Sequence, residues 1–481
     1  MEKNFEIISG DPLLDSIPSK LDTVYMQQLY HNNTFNEIYN KYKKKWFKKV
    51  RISRKFVGIW GWNSWCGLHA LNLLVNDSFR YIIRNTIDVG FRHTERGSGL
   101  LPHAVLHEND IFESRTEFKC YSGIHGEAYN LDHIICWAKM AMEYYLASGD
   151  YDWFESKLPI IKNTMDYILD NFRSKFNDKL IEIGIEGDWT ECTDWELDNA
   201  NVNVNFIEAL RLLIESMKLS NKNSAEIERF QLIRQELIEE FNKSVDDGGF
   251  WHPDLEYFVH GNDGTGKTIH GDKYFESTAN YFALLWNIAN ENNKIALWRY
   301  IDSVSKKLEF PYPVLTNLNP RTGARRKNYG YTVTNGDVWM VLGAHAAAAR
   351  FQADYLEIGS NMYKAILEYE NKEGTLHNCI YLHNKVNDTW DPEIANYGAL
   401  YVPFIFGILG ADPIANGLKL NIKRYLDIPR FQTHLFFRGS LIRLNYSFKN
   451  DNSIVGTLEI EKPNTTIETI EIDKNEIFIR S

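Results

Sequence analysis

The stretch NYGALYVPFIFGILGADPIANGLKLNI, residues 396–422, changes its hydrophobic periodicity near its middle. Residues 396–409 have the apolar spacing of a buried helix. Beyond about residue 415 the chain continues as short alternating runs such as LKLNI, THLFF and LIRLNYSF, broken by Pro, Asn and Gly, which predict antiparallel strands. The stretch therefore marks the exit from a helical region into a small C-terminal β module.

Helical periodicity recurs in pairs of segments ahead of this exit. The predicted helices cover 22–47, 64–88, 129–148, 153–174, 200–219, 224–243, 275–291, 293–308, 335–354, 356–371 and 396–409. Several junctions carry helix punctuation, as in ASGDYDWF, where Gly149 stops one helix and Asp150 can cap the next. Internal repeats are not evident, which argues against a regular solenoid. Helical hairpins followed by strands predict a mainly α protein, an α-barrel with a small antiparallel β module.

The composition of the 481 residues excludes several function classes. A formal net charge of −11 argues against nucleic acid as a partner, since such binding rests on clustered Lys and Arg. The basic run KYKKKWFKKVR at 41–51 is interpreted as the solvated end of a helix. The sequence shows no signal peptide and no apolar run of about 18 residues, so we expect a cytoplasmic protein without a membrane partner.

Neither the cysteines nor a phosphate-loop pattern predicts a cofactor. The five cysteines are scattered and never spaced as C-x-x-C, so they are interpreted as free thiols. GNDGTGKT, 261–268, fits the G-x-x-x-x-G-K-[ST] pattern, but no long apolar strand precedes it and Gly271 interrupts the helix that should follow. The local sequence favours a hairpin between EYFVH and KTIHG. We therefore expect neither a metal nor an organic cofactor.

Aromatic residues make up 14% of the chain, with 13 Trp and 26 Tyr. Aromatic faces stack on sugar rings, while carboxylates, amides and His bind the hydroxyls. In GIWGWNSW, 58–65, we interpret Trp60, Trp62 and Trp65 around Asn63 as a sugar subsite; an aromatic core plug capped by Asn63 or Ser64 is the alternative. His103, in the irregular stretch GSGLLPHAVLHEND, is interpreted as a hydroxyl-binding residue, with a buried structural His as the alternative.

The densest cluster of acids is IEGDWTECTDWELDNANVNVN, 185–205. Carboxylates that converge on one pocket, or face an apolar wall, have raised pKa values, which keeps a general acid protonated near neutral pH. The dipole of the helix predicted from residue 200 explains Glu196 and Asp198 as an acidic first turn. It does not explain the acids further upstream. The candidate site residues of this cluster are Asp188, Trp189, Glu191 and Asp194.

A second acidic stretch, NDTWDPEIANYG, lies about two hundred residues further on. It places Glu393 and Trp390 just ahead of the predicted helix at 396–409. Cleavage of a glycosidic bond requires two acids, one to protonate the leaving oxygen and one to activate water. Two acids from distant loops of one barrel fit that requirement.

Taken together, these segments resemble the six-hairpin glycosidase superfamily over most of residues 55–425. Its members, built on an (α/α)6 barrel, include trehalases, processing α-glucosidases, α-L-rhamnosidases, glucoamylases and disaccharide phosphorylases. WGWNS at 60–64 and GLLPH at 99–103 are similar to a W-x-W-D-[ST] motif and a G-x-x-P-H loop of the trehalase and glucosidase branch, with Asn63 in place of the usual Asp. NGDVW at 335–339 is similar to a helix opening common in the superfamily.

The resemblance implies a division of the chain. An N-terminal extension with a first helix is expected at 1–54, the (α/α)6 toroid at 55–414 and the C-terminal β module at 415–481. The stretch 396–422 resembles the exit from the barrel in rhamnosidases and phosphorylases.

The resemblance also implies roles for the acids. GDWTE at 187–191 is similar to the loop that carries the general acid, which points to Asp188, with Glu191 as the competitor. Glu393 is the candidate base, and Glu373 is the other candidate.

We predict a glycoside hydrolase that acts on an oligosaccharide or small glycoside by inversion. The walls of its site would be Trp60, Trp62, Trp189 and Trp339, with His103 and Asp337 holding hydroxyls. Three alternatives remain open: a disaccharide phosphorylase, a sugar epimerase and a carbohydrate-binding scaffold without activity. Phosphorylases usually carry a large N-terminal β-sandwich, and the short segment ahead of the barrel favours hydrolysis.

Overall fold

The structure is a computed structural model. It describes residues 6–20, 58–94, 99–108, 111–115, 117–118, 128–183, 197–262, 275, 277–305, 339–373, 394–426, 428–449, 454–461, 468–472 and 476–480. The described residues contain twelve α-helices: α1 (Pro12–Lys20), α2 (Gly61–Leu68), α3 (Asp77–Arg92), α4 (Leu131–Ser148), α5 (Tyr151–Asn171), α6 (Ala200–Leu219), α7 (Ser224–Asn242), α8 (Ser277–Leu285), α9 (Glu291–Ser305), α10 (Met340–Gln352), α11 (Leu356–Glu373) and α12 (Ile394–Val402).

Six of these helices form a closed inner ring, in the order α2, α4, α6, α8, α10 and α12. Each contacts the next one, and α12 returns to contact α2. The remaining helices from α3 to α11 alternate with them along the chain. The ring confirms the predicted (α/α)6 architecture.

Inner and outer helices differ in how their apolar residues are spaced. Nearly all of α4, LDHIICWAKMAMEYYLAS, is buried, and so is most of α6. In α7, SAEIERFQLIRQELIEEFN, the buried residues are Phe230, Leu237, Glu240 and Phe241. A helix that is apolar all round must be enclosed, whereas an amphipathic helix covers a core with one face. The sequence thereby sorts the helices into two layers.

The inner helices run parallel because one antiparallel outer helix lies between each inner helix and the next one along the chain. Contacts between α4 and α6 follow this direction: Asp132 bonds Asn201 near the start of both helices, and Tyr145 bonds Ser220 near their ends. All N-termini of the ring therefore lie at one end of it, which we call the mouth. The C-termini lie at the other, which we call the far end.

Two glycines allow the ring to close. A β-carbon at Gly398 of α12 would overlap the carbonyl oxygen of Cys66 in α2, and one at Gly61 would overlap the carbonyl oxygen of His133 in α4. Both α12 and α4 therefore approach α2 with backbone against backbone. Tyr401 adds a hydrogen bond to the Gly67 carbonyl across the seam between α12 and α2.

The strands after the barrel form two antiparallel sheets. One contains β12 (Asp412–Ile414), β13 (Gly417–Asn421) and β18 (Glu476–Arg480). The other has the order β1-β14-β15-β16-β17, with the strands β1 (Ile7–Ile8), β14 (Arg430–Phe437), β15 (Ser440–Phe448), β16 (Ile454–Glu461) and β17 (Glu468–Ile472). In β15 alternate residues are buried, as a sheet with one covered face requires.

Sequence analysis did not anticipate that the N-terminus completes this sheet. Ile7 pairs with Thr433 and Ile8 with Gln432. The α1 helix that follows contacts α11, and Lys20 forms an ion pair with Glu370. Two-residue strands are too short to be read from periodicity.

Short strands lie beside the mouth. They are β2 (Gly58–Trp60), β3 (Ala104–Glu108), β4 (Ile111–Arg115), β5 (Glu117–Phe118), β6 (Ala128–Tyr129), β7 (Glu182–Ile183), β8 (Leu197–Asn199), β9 (Trp251–His252), β10 (Tyr257–Phe258) and β11 (Gly261–Asn262).

The first strand of the predicted hairpin, EYFVH, pairs with a different segment from its predicted partner, KTIHG. Tyr257–Phe258 pairs with Trp251–His252, and Gly261–Asn262 pairs antiparallel with Asp198–Asn199. The segment KTIHG lies outside the described residues. A nearby upstream strand, closed by a tight turn, pairs more readily than a segment across a longer loop.

Asp150 occupies the N-cap position of α5, as predicted, but does not cap the helix through its side chain. Gly149 ends α4 with a left-handed φ of 72°, as predicted, but the Asp150 side chain makes no capping hydrogen bond. Its Oδ2 instead accepts hydrogen bonds from Arg84 and from the hydroxyl of Tyr144, both at 3.1 Å. Partners on neighbouring helices outcompete the local backbone N–H groups.

Among the described residues, Cys66 and Cys136 are free and buried, and burial raises the pKa of both thiols. No described helix has the length and apolar character needed to cross a membrane.

Candidate active site

The mouth of the ring is where the long connections of the chain enter. Segments of 20 to 38 residues lead into α4, α6, α8, α10 and α12, whereas two to five residues join α4 to α5, α6 to α7, α8 to α9 and α10 to α11 at the far end. Loops carry most binding and catalytic residues in enzymes. A site at the mouth can therefore draw on several distant parts of the sequence.

Trp62 and Trp339 meet at this end. Trp62, in the first turn of α2, is fully buried, and Trp339 is the residue that precedes α10. Their ring centroids are 6.2 Å apart with the planes at 72°, an edge-to-face contact. Because Trp62 exposes no surface, its position agrees with the alternative of an aromatic core plug. Trp339 is 5% exposed.

His103 packs against His133 of α4 in the same region. The two imidazole centroids are 4.5 Å apart at 79°, and the carbonyl of His103 accepts the Gly61 N–H at 3.2 Å. The backbone N–H of Trp62 donates to Nδ1 of His133 at 3.2 Å, so His133 carries its proton on Nε2. Burial, and then His103, hold the pKa of His133 well below its usual value, so His133 is uncharged.

A buried carboxylate lies beside this pair. Asp132 accepts the His133 N–H at 2.7 Å through Oδ1 and the side-chain amide of Asn201 at 2.9 Å through Oδ2. Asn201 in turn accepts a hydrogen bond from Asn205 at 3.1 Å, and Asn205 accepts one from Lys139 at 2.9 Å. Hydrogen-bonded polar side chains therefore run from the mouth down into the ring.

Aromatic side chains fill the centre of the circle of inner helices below the mouth. The Nζ of Lys139 lies 3.4 Å from the ring centroid of Trp65 and 4.1 Å from that of Trp286. Trp65 also stacks on His69 and His345. These side chains form the floor of the mouth. The cation of Lys139 is attracted to the aromatic ring faces at such short distances.

The residues that flank the acidic segment are held at the start of α6. Ile183 pairs with Leu197, and the side chain of Asn203 bonds both the N–H and the carbonyl of Ile181 at 2.9 Å. Asn199 caps α6 by accepting the Val202 N–H at 2.9 Å. Ile183 and Leu197, the residues on either side of 184–196, are therefore held beside each other at the mouth.

The interpretation of Asp198 as part of an acidic first helical turn is wrong. Asp198 lies in β8, opposite Glu182 of β7, and the helix cap is Asn199. Burial and the neighbouring Glu182 raise the pKa of Asp198 to about 7. The strand pairing places this carboxyl beside another acid rather than at the helix dipole.

The remaining predicted residues divide into two groups. Trp60 lies in β2, Asn63 in α2 and Glu373 at the end of α11, where only the backbone is described. The others lie outside the described residues, and their roles stay predictions: Asp188, Trp189, Glu191, Asp194, Asp337, Trp390 and Glu393.

Sequence analysis missed Asp132, His133 and Asn201. The available signal was ANVNVN, 200–205, where Asn alternates with Val inside a helical segment. Buried Asn at three alternate positions requires partners on several sides of the helix. Asp132, in the first turn of α4, supplies one of them.

The sequence matches no family model and no curated protein. Solved structures do match. The GH63 mannosylglycerate hydrolase from Thermus thermophilus superposes with a TM-score of 0.52 at 13% identity, covering 74% of this chain and 95% of that one. The GH78 family rhamnosidase of Bacillus sp. GL1 superposes with a TM-score of 0.63 at 12% identity, covering 96% of this chain and 42% of that one.

The chain has the fold of the six-hairpin glycosidases. A further likeness, to the α-L-rhamnosidase from Dictyoglumus thermophilum, has a TM-score of 0.57 at 12% identity and covers 99% of this chain and 50% of that one. The six-hairpin fold of this protein thus spans half or less of the two rhamnosidases. Identity this low establishes the fold and leaves the chemistry to the site itself.

Proposed function

We propose that the protein is an inverting glycoside hydrolase, with Asp188 as general acid and Glu393 as general base. The proposal rests on which inner helix each of the two acidic segments leads into. The segment 184–196 returns through β8 into α6, and Glu393 immediately precedes α12. In the closed order of the six inner helices, α6 and α12 are three places apart. The helices that follow the two candidate acids in the sequence, α6 and α12, therefore lie on opposite sides of the ring.

Acids on opposite sides of the ring favour a reaction that inverts the configuration of the sugar's anomeric carbon. Neighbouring packed helices have axes about 9 Å apart, so opposite members of a six-membered ring are separated by about 18 Å. Acids that reach inward from opposite walls leave space between them. An inverting pair needs about 6.5–9.5 Å to admit a water molecule, whereas a retaining pair needs about 5 Å.

The described part of the mouth suits an uncharged sugar. His133 is neutral, and the Asp132 carboxylate is engaged by His133 and Asn201. Amide and imidazole groups recognise hydroxyls without requiring charge on the ligand. We propose an oligosaccharide or small glycoside as substrate, a class that includes what the names of the GH63 and GH78 structures describe.

A panel of nitrophenyl glycosides and natural disaccharides, assayed with and without phosphate, tests the proposal. We expect turnover without phosphate and first release of the anomer opposite to that of the substrate, followed by proton NMR. Turnover that requires phosphate would replace hydrolysis by phosphorolysis, and retention of configuration would contradict the assigned pair.

Asp188→Asn tests the acid. Loss of general acid catalysis is expected to lower kcat by about 100-fold or more while sugar binding survives. Asp178→Asn, an exposed residue ten positions upstream, is the matched control and should retain activity. Full activity of Asp188→Asn would remove Asp188 from the mechanism.

A further inference from the structure

A cavity of about 960 Å³ lies at the far end of the ring, away from the mouth. Leu146 of α4, Leu212 of α6 and Gln352 of α10, all in the C-terminal halves of inner helices, contribute to its wall. The β12–β13 hairpin and α7 supply other parts. Its volume is within the range of about 300–1,000 Å³ that small-molecule sites occupy.

Most charges on the cavity wall are already paired. Arg211 binds Glu208 through Nε and Nη2 at 2.8 to 3.1 Å, and its Nη1 reaches Asp412 at 3.2 Å. Lys294 pairs with Glu291 at 2.6 Å. Such pairs satisfy each other and leave little net field for a ligand.

Glu143 carries less negative charge near neutral pH than an ordinary carboxylate does. It accepts hydrogen bonds from Trp65 Nε1 at 3.0 and 3.1 Å. Burial raises the pKa of its carboxyl to about 7, against the opposing effect of Lys139. Near neutral pH this wall residue is therefore protonated for much of the time.

Arg234 is the exception among these groups. It lies half-buried on α7, lines the cavity and donates through Nε to the Ile207 carbonyl at 3.3 Å. Within the described part of the chain its terminal nitrogens make no hydrogen bond and no ion pair. A guanidinium presents these donors as a planar fork that matches the two oxygens of a carboxylate or phosphate.

Aromatic and amide groups complete the wall. The half-buried ring of Trp286 lines the cavity, and Trp298 and Phe406 add further aromatic surface. Asn72 also lines it, is 2% exposed, and its Oδ1 has no hydrogen-bond partner among the described residues. Buried polar atoms ordinarily have a partner, so an acceptor left over beside a cavity indicates a ligand donor such as a hydroxyl.

We propose that the far-end cavity binds a sugar-sized molecule that carries one oxyanion, as a sugar phosphate or a sugar carboxylate does. Arg234 pairs with the oxyanion, Trp286 contacts the ring and Asn72 accepts a hydroxyl. The site is separate from the mouth, because Trp65, Lys139 and His345 fill the ring between them. It does not depend on the assignment of the catalytic acids.

Titration calorimetry on the full chain tests this site, with glucose 6-phosphate, glucuronate and glucose as probes. We expect saturable binding of at least one acidic probe, and the two acidic probes distinguish phosphate from carboxylate as the anion. Glucose should bind about tenfold or more weakly at this site, since it lacks the charge that pairs with the guanidinium.

Two variants with matched controls locate the binding. Arg234→Gln should weaken the acidic probe by about tenfold or more. Arg229→Gln, on the same helix and paired with Asp166, should not. Gln235→Trp should fill the opening and abolish binding, whereas Gln231→Trp, one turn away and outside the lining, should leave it intact.

The proposal fails if wild-type protein binds neither acidic probe. It also fails if Arg234→Gln and Gln235→Trp, each verified as folded by circular dichroism, bind as the wild type does. Glucose binding as tightly as the acidic probes would overturn the role of Arg234.

Discussion

The two ends of the ring are built from the same helices but differ in how the chain connects them. At the mouth, segments of 20 to 38 residues enter five of the inner helices, while four of the far-end connections have two to five residues. Short connections fix the packing of a hairpin and leave little chain for other roles. Long connections are the part that can vary without disturbing the ring.

The polar groups of the two ends differ as well. At the mouth, Asp132 accepts hydrogen bonds from the backbone N–H of His133 and from the side-chain amide of Asn201. At the far end, Arg211 joins Glu208 and Asp412 in an ion cluster that ties α6 to β12. The described polar groups of the mouth are thus joined by hydrogen bonds to amide and imidazole groups, whereas those of the far end are joined by ion pairs. Substitutions at each end test whether the two ends are independent.

The largest effect is expected from Lys139→Met, which removes the cation between the two ends. Asn205 loses its donor at 2.9 Å, and the rings of Trp65 and Trp286 lose a charge at 3.4 and 4.1 Å. Relief of the buried charge offsets part of this loss. We expect the free energy of unfolding in urea to fall by about 3 kcal/mol.

Lys157→Met is the control for that change. Lys157 lies on the outer helix α5, near Trp153 and paired with Asp88 at 2.7 Å. A partly solvated pair of this kind contributes about 1 kcal/mol or less. Equal effects of the two substitutions would show that the ring does not need a cation in its centre.

Gly398→Ala tests the seam that both ends share. The new methyl group would overlap the Cys66 carbonyl oxygen, and backbone cannot move aside as a side chain can. Overpacking is expected to lower stability by about 2 kcal/mol, measured by thermal or urea unfolding. Gly359→Ala, in α11, meets its nearest atom, the Ala347 carbonyl oxygen, at 3.3 Å rather than 2.2 Å, so a much smaller shift relieves the contact and the loss of stability should be much smaller. A neutral Gly398→Ala would mean that the seam is loose.

The ring could be predicted from sequence because its helices are periodic and regularly punctuated. The predicted helix at 200–219 matches α6 at both ends, and that at 129–148 differs from α4 by two residues at its start. The region predicted as one helix at 64–88 instead contains α2, a 3-10 turn at Ala70–Leu73 and α3. Hydrophobic periodicity does not reveal a break between two helices when both helices bury the same face.

The site could be predicted only in part. Trp62, His103 and Trp339 were singled out from their motifs; in the structure they are buried, Trp62 contacts Trp339, and both Trp62 and His103 contact His133, while their proposed contacts with a sugar stay predictions. The bond between Asp132 and Asn201 joins residues 69 positions apart, and no local pattern encodes such a distance. The far-end cavity is assembled from still more distant elements, including α7 and β12, so neither its existence nor the position of Arg234 could be read from the sequence.

Glu143→Gln tests how the stability of the far end depends on pH. The pKa of Glu143 is raised from 4.5 to about 7 in the folded protein, so folding holds this proton and its contribution to stability falls as the pH rises from about 4.5 to 7. The variant removes that dependence. Relative to the wild type, it should gain on the order of 1–2 kcal/mol between pH 5 and pH 8 in urea unfolding.

The lowered pKa of His133, at the mouth, makes stability depend on pH in the opposite direction. Its pKa is lowered from 6.5, so the unfolded chain takes up the proton first and stability is lost as the pH falls below about 6.5. His133→Gln should therefore flatten the acid side of the stability profile, while Glu143→Gln flattens the side towards neutral pH. If both variants alter the same side, the two ends are not electrostatically distinct.

The smallest effect is expected when one helix cap is removed at either end, since only the cap at the mouth is expected to influence kcat. Asn199 caps α6 at the mouth, and Asn223 caps α7 at the far end, each through its side-chain oxygen at 2.9 Å from a backbone N–H. Replacing either by Ala should cost about 1 kcal/mol of stability, since one helix terminus loses its cap. Asn199 also adjoins the segment that carries Asp188, so Asn199→Ala should lower kcat a few-fold on the best glycoside of the panel. Asn223→Ala should leave kcat unchanged. Equal kcat values for the two variants would mean that the start of α6 does not position the acid, and the assignment of Asp188 would lose its structural support.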